Sequence, residues 1–146
     1  ILEHGKSPRN LGKCEGYSHE AKGYNPLCGD KVHVYLKLNT EKKVENLTFE
    51  GDGCAISLAS ASIMTELVKG RSINDTKEIM SAFLNMIKNT SEMNSNHLDD
   101  DQKTKIMSLS GVKQFPMRVK CATLSWHTLN SAMDGEKKEV NTEVMD

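Results

Sequence analysis

The chain has 146 residues, 37% hydrophobic and 27% charged, which suits one globular domain with its own core. Its 19 basic and 20 acidic side chains leave a net charge of −1, so bulk electrostatics favours neither nucleic acid nor a membrane surface as a partner. No apolar run approaches the roughly 20 residues of a membrane span, and aromatics at 5% argue against a surface that stacks bases or sugars.

Ser7-Pro8-Arg9-Asn10 followed by Gly12 reads as the end of a helix that starts further upstream. Segment 14–27, with Gly16, Gly23 and Asn25-Pro26, predicts a short strand entering a tight turn, because Pro26 holds Asn25 extended. Residues 31–38 alternate: Val32, Val34, Leu36 and Leu38 share one face, and Lys31, His33, Tyr35 and Lys37 share the other. A polar turn over Asn39 to Lys43 joins this strand to a second, Val44 to Glu50, forming an antiparallel hairpin. Gly51-Asp52-Gly53 then breaks the strand. Ala55 to Lys69 predicts a helix stopped by Gly70, its Ala-Ser-Ala-Ser centre suited to close packing.

A second helix is expected from about Asn74 to Lys88, capped by Asn74 or Asp75, with Ile79, Met80, Phe83 and Ile87 at helical spacing. Residues 89–104 are polar and read as an exposed loop or short helix, and Ile106 to Leu109 as a helical turn before Gly111. Pro116 opens the last helix, where Val119, Ala122, Trp126, Leu129 and Met133 make one apolar stripe that omits Cys121. Strands first and helices afterwards predict an α+β fold, a small antiparallel sheet of about three strands covered on one face by helices. The domain is expected to span 1–133, and the charged tail 134–146 is expected to be disordered.

The four cysteines carry the chemical signal. A chain of this size needs no disulfide staples and shows no apolar leader, so reduced thiols in the cytoplasm are expected. Three cysteines sit in compact motifs far apart: Cys28-Gly29-Asp30, Gly51-Asp52-Gly53-Cys54 and Arg118-Val119-Lys120-Cys121. Thiolate sulfur with a carboxylate oxygen is the donor set of a metal or iron–sulfur site, and the wide spacing is unlike the close pairs of a zinc finger. Cys54 precedes a helix whose free N–H groups should lower its pKa, and Arg118 and Lys120 should favour thiolate at Cys121. Cys14 has no helix behind it and is expected to stand apart. His4, His19, His33, His97 and His127 neighbour none of the motifs, so a Cys–His nucleophile is not indicated, and no phosphate loop is present.

Three stretches together resemble the IscU/NifU-like iron–sulfur cluster assembly family: Asn25-Pro26-Leu27-Cys28-Gly29-Asp30, Phe49-Glu50-Gly51-Asp52-Gly53-Cys54-Ala55-Ile56-Ser57 and Phe115-Pro116-Met117-Arg118-Val119-Lys120-Cys121-Ala122-Thr123-Leu124. The resemblance covers about residues 1–133. It is closest to the SufU branch, because Lys120 stands where IscU-type members have His and because the stretch near 89–108 looks like the insertion of that branch.

The resemblance implies zinc held by Cys28, Asp30, Cys54 and Cys121, and sulfur accepted from a SufS-type cysteine desulfurase for delivery to a downstream assembly scaffold. The chain would then be a carrier of persulfide sulfur rather than a stand-alone enzyme. Cys28, on the mobile Gly29 turn, is the expected acceptor and Cys121 the second candidate. Arg118 and Lys120 would orient the persulfide or contact the partner, and Asp30 would be a displaceable ligand. The same four ligands could instead hold iron or a transient [2Fe–2S] cluster on a scaffold. An inert structural zinc site is the third reading, disfavoured by the carboxylate ligand.

Overall fold

The computed structural model describes residues 10–88, 98–135 and 140–142. The expected end of an N-terminal helix lies outside them up to residue 9, as does much of the expected polar loop, 89–97. Three long strands come first: β1 (His19–Asn25), β2 (Asp30–Leu38) and β3 (Val44–Asp52). Then follow α1 (Ala55–Val68), α2 (Ile73–Lys88), α3 (Asp100–Met107), a 3₁₀ turn (Ser110–Gln114) and α4 (Pro116–Met133). A two-residue strand, β4 (Val140–Asn141), closes the order. The strands lie in the order β3-β2-β1-β4.

β1–β2 and β2–β3 are antiparallel, as the alternation and the five-residue polar turn predict, and β4 adds a parallel edge beside β1. Helices α1 and α4 pack on the sheet and on each other, giving the expected α+β layers. Part of the 134–146 tail is therefore sheet: β4 pairs Val140 with Gly23 and Asn141 with Tyr24. Residues 136–139 and 143–146 lie outside the described residues.

Val32, Val34 and Leu36 of β2 and Leu47 and Phe49 of β3 turn inward onto Met64 and Leu67 of α1, Phe83 of α2 and Trp126 of α4. Trp126 stacks on Phe83 with centroids 4.5 Å apart and donates from Nε1 to Ser60 Oγ at 3.0 Å. The predicted stripe of α4 is buried from Ala122 onward, with Val119 partly buried, but Cys121, Thr123, Leu124, Ser125 and Thr128 are buried too. The sheet covers one side of α4 and α1 the other, so small side chains replace a polar face. Thr123 and Thr128 satisfy their buried hydroxyls on carbonyls one turn back.

Some boundaries differ from expectation. Ser72, rather than Asn74 or Asp75, caps α2 by accepting from the Asp75 N–H at 3.1 Å. The acidic run at 99–101 starts α3 through a reciprocal capping box between Asp99 and Gln102. β3 runs on through Gly51 and Asp52, so the break comes only at Gly53. Tyr35 is not on a solvated face: it is 4% exposed, lies against Tyr17 and His33, and donates to Glu50. Burial first, and the Glu50 carboxylate second, push its phenol up to about 12.

Candidate metal centre

The three cysteine motifs meet at one end of the sheet. The β1–β2 turn carries Cys28, and β2 opens with Asp30, register partner of Asn25. The β3–α1 junction carries Cys54, and the second turn of α4 brings in Cys121. Ligand atoms of Cys28, Asp30 and Cys121 all lie within 4.8 Å of one another, and the two sulfurs are 3.6 Å apart. Cys54 joins through Asp30, its Sγ 3.9 Å from Asp30 Oδ2. Cys28 and Cys54 are half-buried, whereas Asp30 and Cys121 are fully buried.

Two glycines make the convergence possible. Gly29 has φ +72°, a left-handed turn conformation that costs an ordinary residue strain, and it lets Cys28 and Asp30 turn toward one centre. Gly53 packs against Asp30: a Cβ there would lie 3.0 Å from Asp30 Cγ and 3.2 Å from its Cα. That close approach lets the Cys54 N–H reach Asp30 Oδ1 at 2.9 Å, leaving Oδ2 toward the thiols.

Cys54 is the N-cap of α1, its sulfur accepting from the Ser57 N–H at 3.4 Å. Its thiol is lowered to about 6, chiefly by hydrogen bonding with Cys121 and further by the Ser57 and Ile56 N–H groups, against burial and the Asp30 charge. Cys121 moves the other way. Its neighbours Cys54, Asp30 and Cys28, together with burial, hold its proton on. This reverses the expectation from Arg118 and Lys120: the basic residues are near in sequence, but burial and acidic groups decide in space. Arg118 is exposed, and its charge is reinforced first by Cys54 and then by Cys121 and Cys28. Lys120 is half-buried on the same helix.

Cys54 and Cys121 thus shift in opposite directions, which favours thiolate at Cys54 over Cys121. A lowered pKa means that thiolate dominates above about 6 and is lost as pH falls through it. Iodoacetamide should therefore label Cys54 of the metal-free protein with a pH midpoint near 6, well below the ordinary thiol at about 8.5. Cys121 should lag at every neutral pH, and peptide mass spectrometry separates the two. Equal rates with a common midpoint near 8.5 would refute the assignment.

Cys14 stands apart as expected, buried against Asn46 of β3, whose Nδ2 lies 3.4 Å from its sulfur. His19 and His33 pair with Ser18 and Glu20, while His4 and His97 lie outside the described residues. Two residues without an assigned role in the sequence bear on the site: Asn25 reaches Cys121 and Asp30 directly, and Thr142 bonds to Asn25. Asn25 lies within the first motif stretch; a lone threonine in a charged tail carries no signal.

The profile of the NifU-like N terminal domain matches residues 1–122. The chain belongs to the NifU-like N-terminal domain family. It is thereby a member of an iron–sulfur cluster assembly family, as the three motifs implied. It is 39% identical to the zinc-dependent sulfurtransferase SufU of Bacillus subtilis, over 94% of this chain and 88% of that protein. It is 37% identical to the iron–sulfur cluster assembly scaffold protein IscU of Thermotoga maritima, over 91% of this chain and 89% of that protein. The crystal structure of SufU from Fervidobacterium islandicum AW-1 superposes with a TM-score of 0.80 at 35% identity, covering 90% of this chain and 92% of that one. Among the described residues no helix is long and apolar enough to cross a membrane.

Proposed function

We propose that this chain is a zinc-dependent sulfur carrier, taking sulfane sulfur from a SufS-type cysteine desulfurase and passing it to a downstream iron–sulfur assembly scaffold. The observation that carries the reading is the convergence of three thiols and one carboxylate from four separate elements. Tetrahedral zinc with Zn–S distances of about 2.3 Å would hold neighbouring sulfurs about 3.8 Å apart. The Cys28–Cys121 separation of 3.6 Å fits that shell, and Cys54, whose sulfur is 3.9 Å from Asp30 Oδ2 but outside the tight Cys28–Asp30–Cys121 group, would close it by moving inward. Cys28, Asp30, Cys54 and Cys121 would hold the ion, which when bound keeps thiols deprotonated at neutral pH.

Cys28 is the acceptor. Its turn faces open space, since a Cβ at Gly29 would meet nothing within 4 Å, while Cys121 is 0% exposed. Cys28 thiolate attacks the terminal sulfur of the partner's cysteine persulfide. The partner's sulfur–sulfur bond breaks, its cysteine leaves as thiolate, and the terminal sulfur stays on Cys28 as a new persulfide with its proton. Arg118 at the exposed start of α4 orients the persulfide, and Lys120 adds positive charge beside Cys121. Lys120 in the place of His favours the carrier over a [2Fe–2S] scaffold, because it removes one cluster ligand.

The test is to measure zinc and iron in the purified protein and then add a SufS-type desulfurase with cysteine. One zinc per chain and faster desulfurase turnover are expected. No zinc, no stimulation and a stable cluster after reconstitution would replace this reading with the scaffold.

A further inference from the structure

Beyond α4 the chain returns to the centre. β4 lies parallel to β1, and the next residue, Thr142, is 3% exposed. Its Oγ1 donates to Asn25 Oδ1 at 3.1 Å. Asn25 ends β1 and is 0% exposed. Its Nδ2 faces two groups of the centre, Cys121 Sγ at 3.6 Å and Asp30 Oδ2 at 3.4 Å. A continuous path of hydrogen bonds therefore joins the tail strand to one sulfur and one carboxylate.

The chemistry of the amide makes this path directional. The two ends of an asparagine amide have nearly the same shape but opposite hydrogen-bonding sense. Flipped, Asn25 would set a carbonyl oxygen against a sulfur and a carboxylate, both electron-rich. The carboxylate and the sulfur call for the N–H end of the amide, and the Thr142 hydroxyl, donating to Oδ1, anchors the other end in that orientation. Such N–H donors fix where a ligand atom sits.

We propose that Asn25 and Thr142 are positioning residues of the metal centre. Thr142, delivered by β4, holds the Asn25 amide so that its N–H bonds set the Cys121 sulfur and the Asp30 carboxylate in ligating positions. The proposal rests on the zinc reading of the site. Coupling of this kind is reciprocal, so metal at the centre must also secure the tail strand on β1.

The test uses the full chain stripped of metal, titrated with zinc against a chromophoric chelator and separately with cobalt(II). Thr142→Val keeps the shape and removes the hydroxyl, whereas Thr142→Ser keeps the hydroxyl. Thr142→Val should bind zinc about 10-fold or more weakly and shift the cobalt ligand-field bands, and Thr142→Ser should restore both. In the unsubstituted chain, zinc should slow amide exchange at residues 140–142; in Thr142→Val it should slow it less. A folded Thr142→Val with unchanged affinity and cobalt bands overturns the positioning role while leaving the zinc reading intact. If the unsubstituted chain binds neither ion, the zinc reading fails and this proposal falls with it. Should Thr142→Val not fold, Asn25→Asp carries the test: it swaps the donor for a carboxylate, and unchanged zinc affinity there overturns the proposal.

Discussion

A chain carrying Cys28→Ser should take up no sulfur above background from a cysteine desulfurase. It should also hold zinc more weakly by more than the roughly 10-fold attributable to an outer hydrogen-bond partner. The reasoning runs through accessibility and freedom to move. Cys121 is 0% exposed inside α4, and its neighbours keep its proton on. Cys54 is tied down as the cap of α1 by the Ser57 N–H. Cys28 alone sits on a glycine turn, with Gly29 at φ +72° and open space beside it. Serine fills nearly the same volume, so the fold should survive and the loss should be chemical, since a neutral hydroxyl is not a sulfur nucleophile at pH 7. Intact-protein mass spectrometry after incubation with desulfurase and cysteine reads the added sulfur directly. Full sulfur acceptance by the serine variant would move the acceptor to Cys121, the second candidate.

The features readable in the sequence were those with a local physical cause. Alternation from Lys31 to Leu38 and the Pro26 turn specify β1 and β2, because one buried face imposes a period of two. Three cysteine motifs, two of them with a glycine beside the cysteine, announce a shared centre, since glycine is what lets separate backbones approach: Gly53 leaves no room for a Cβ against Asp30. What stayed hidden depends on distant parts of the chain. Tyr35 alternates onto the polar side, yet Tyr17 and Glu50 close over it. Arg118 and Lys120 suggest a thiolate at Cys121, whereas burial and the acidic groups of β2 and the β3–α1 junction reverse the preference. β4 is too short to show alternation, and Thr142 gains meaning only when the tail lies beside Asn25.

Trp126→Ala should cost about 3–5 kcal/mol of stability, the range for removing a buried aromatic ring without full collapse of the space. The residue is 0% exposed, stacked on Phe83 and hydrogen-bonded to Ser60. Ser60 also donates to the carbonyl of Ala122, so its hydroxyl keeps a partner when the indole is gone. The loss is therefore mainly the void and the ring contact. For a chain of this size it should lower Tm by roughly 10 °C, read by calorimetry in the presence of a chelator. Trp126→Phe should lose less, because it retains a ring against Phe83. The same residue bears on the centre, since Ser60 joins α1, which Cys54 caps, to α4 one residue from Cys121. If that tie sets their spacing, saturating zinc will raise Tm less in Trp126→Ala than in the unsubstituted chain, because ligand stabilisation follows affinity. An equal zinc shift, with the drop in chelator still present, would assign Trp126 to the core alone. A drop below about 1 kcal/mol would mean that Phe83 and Ser60 close the void, which a core this tightly interlocked should not allow.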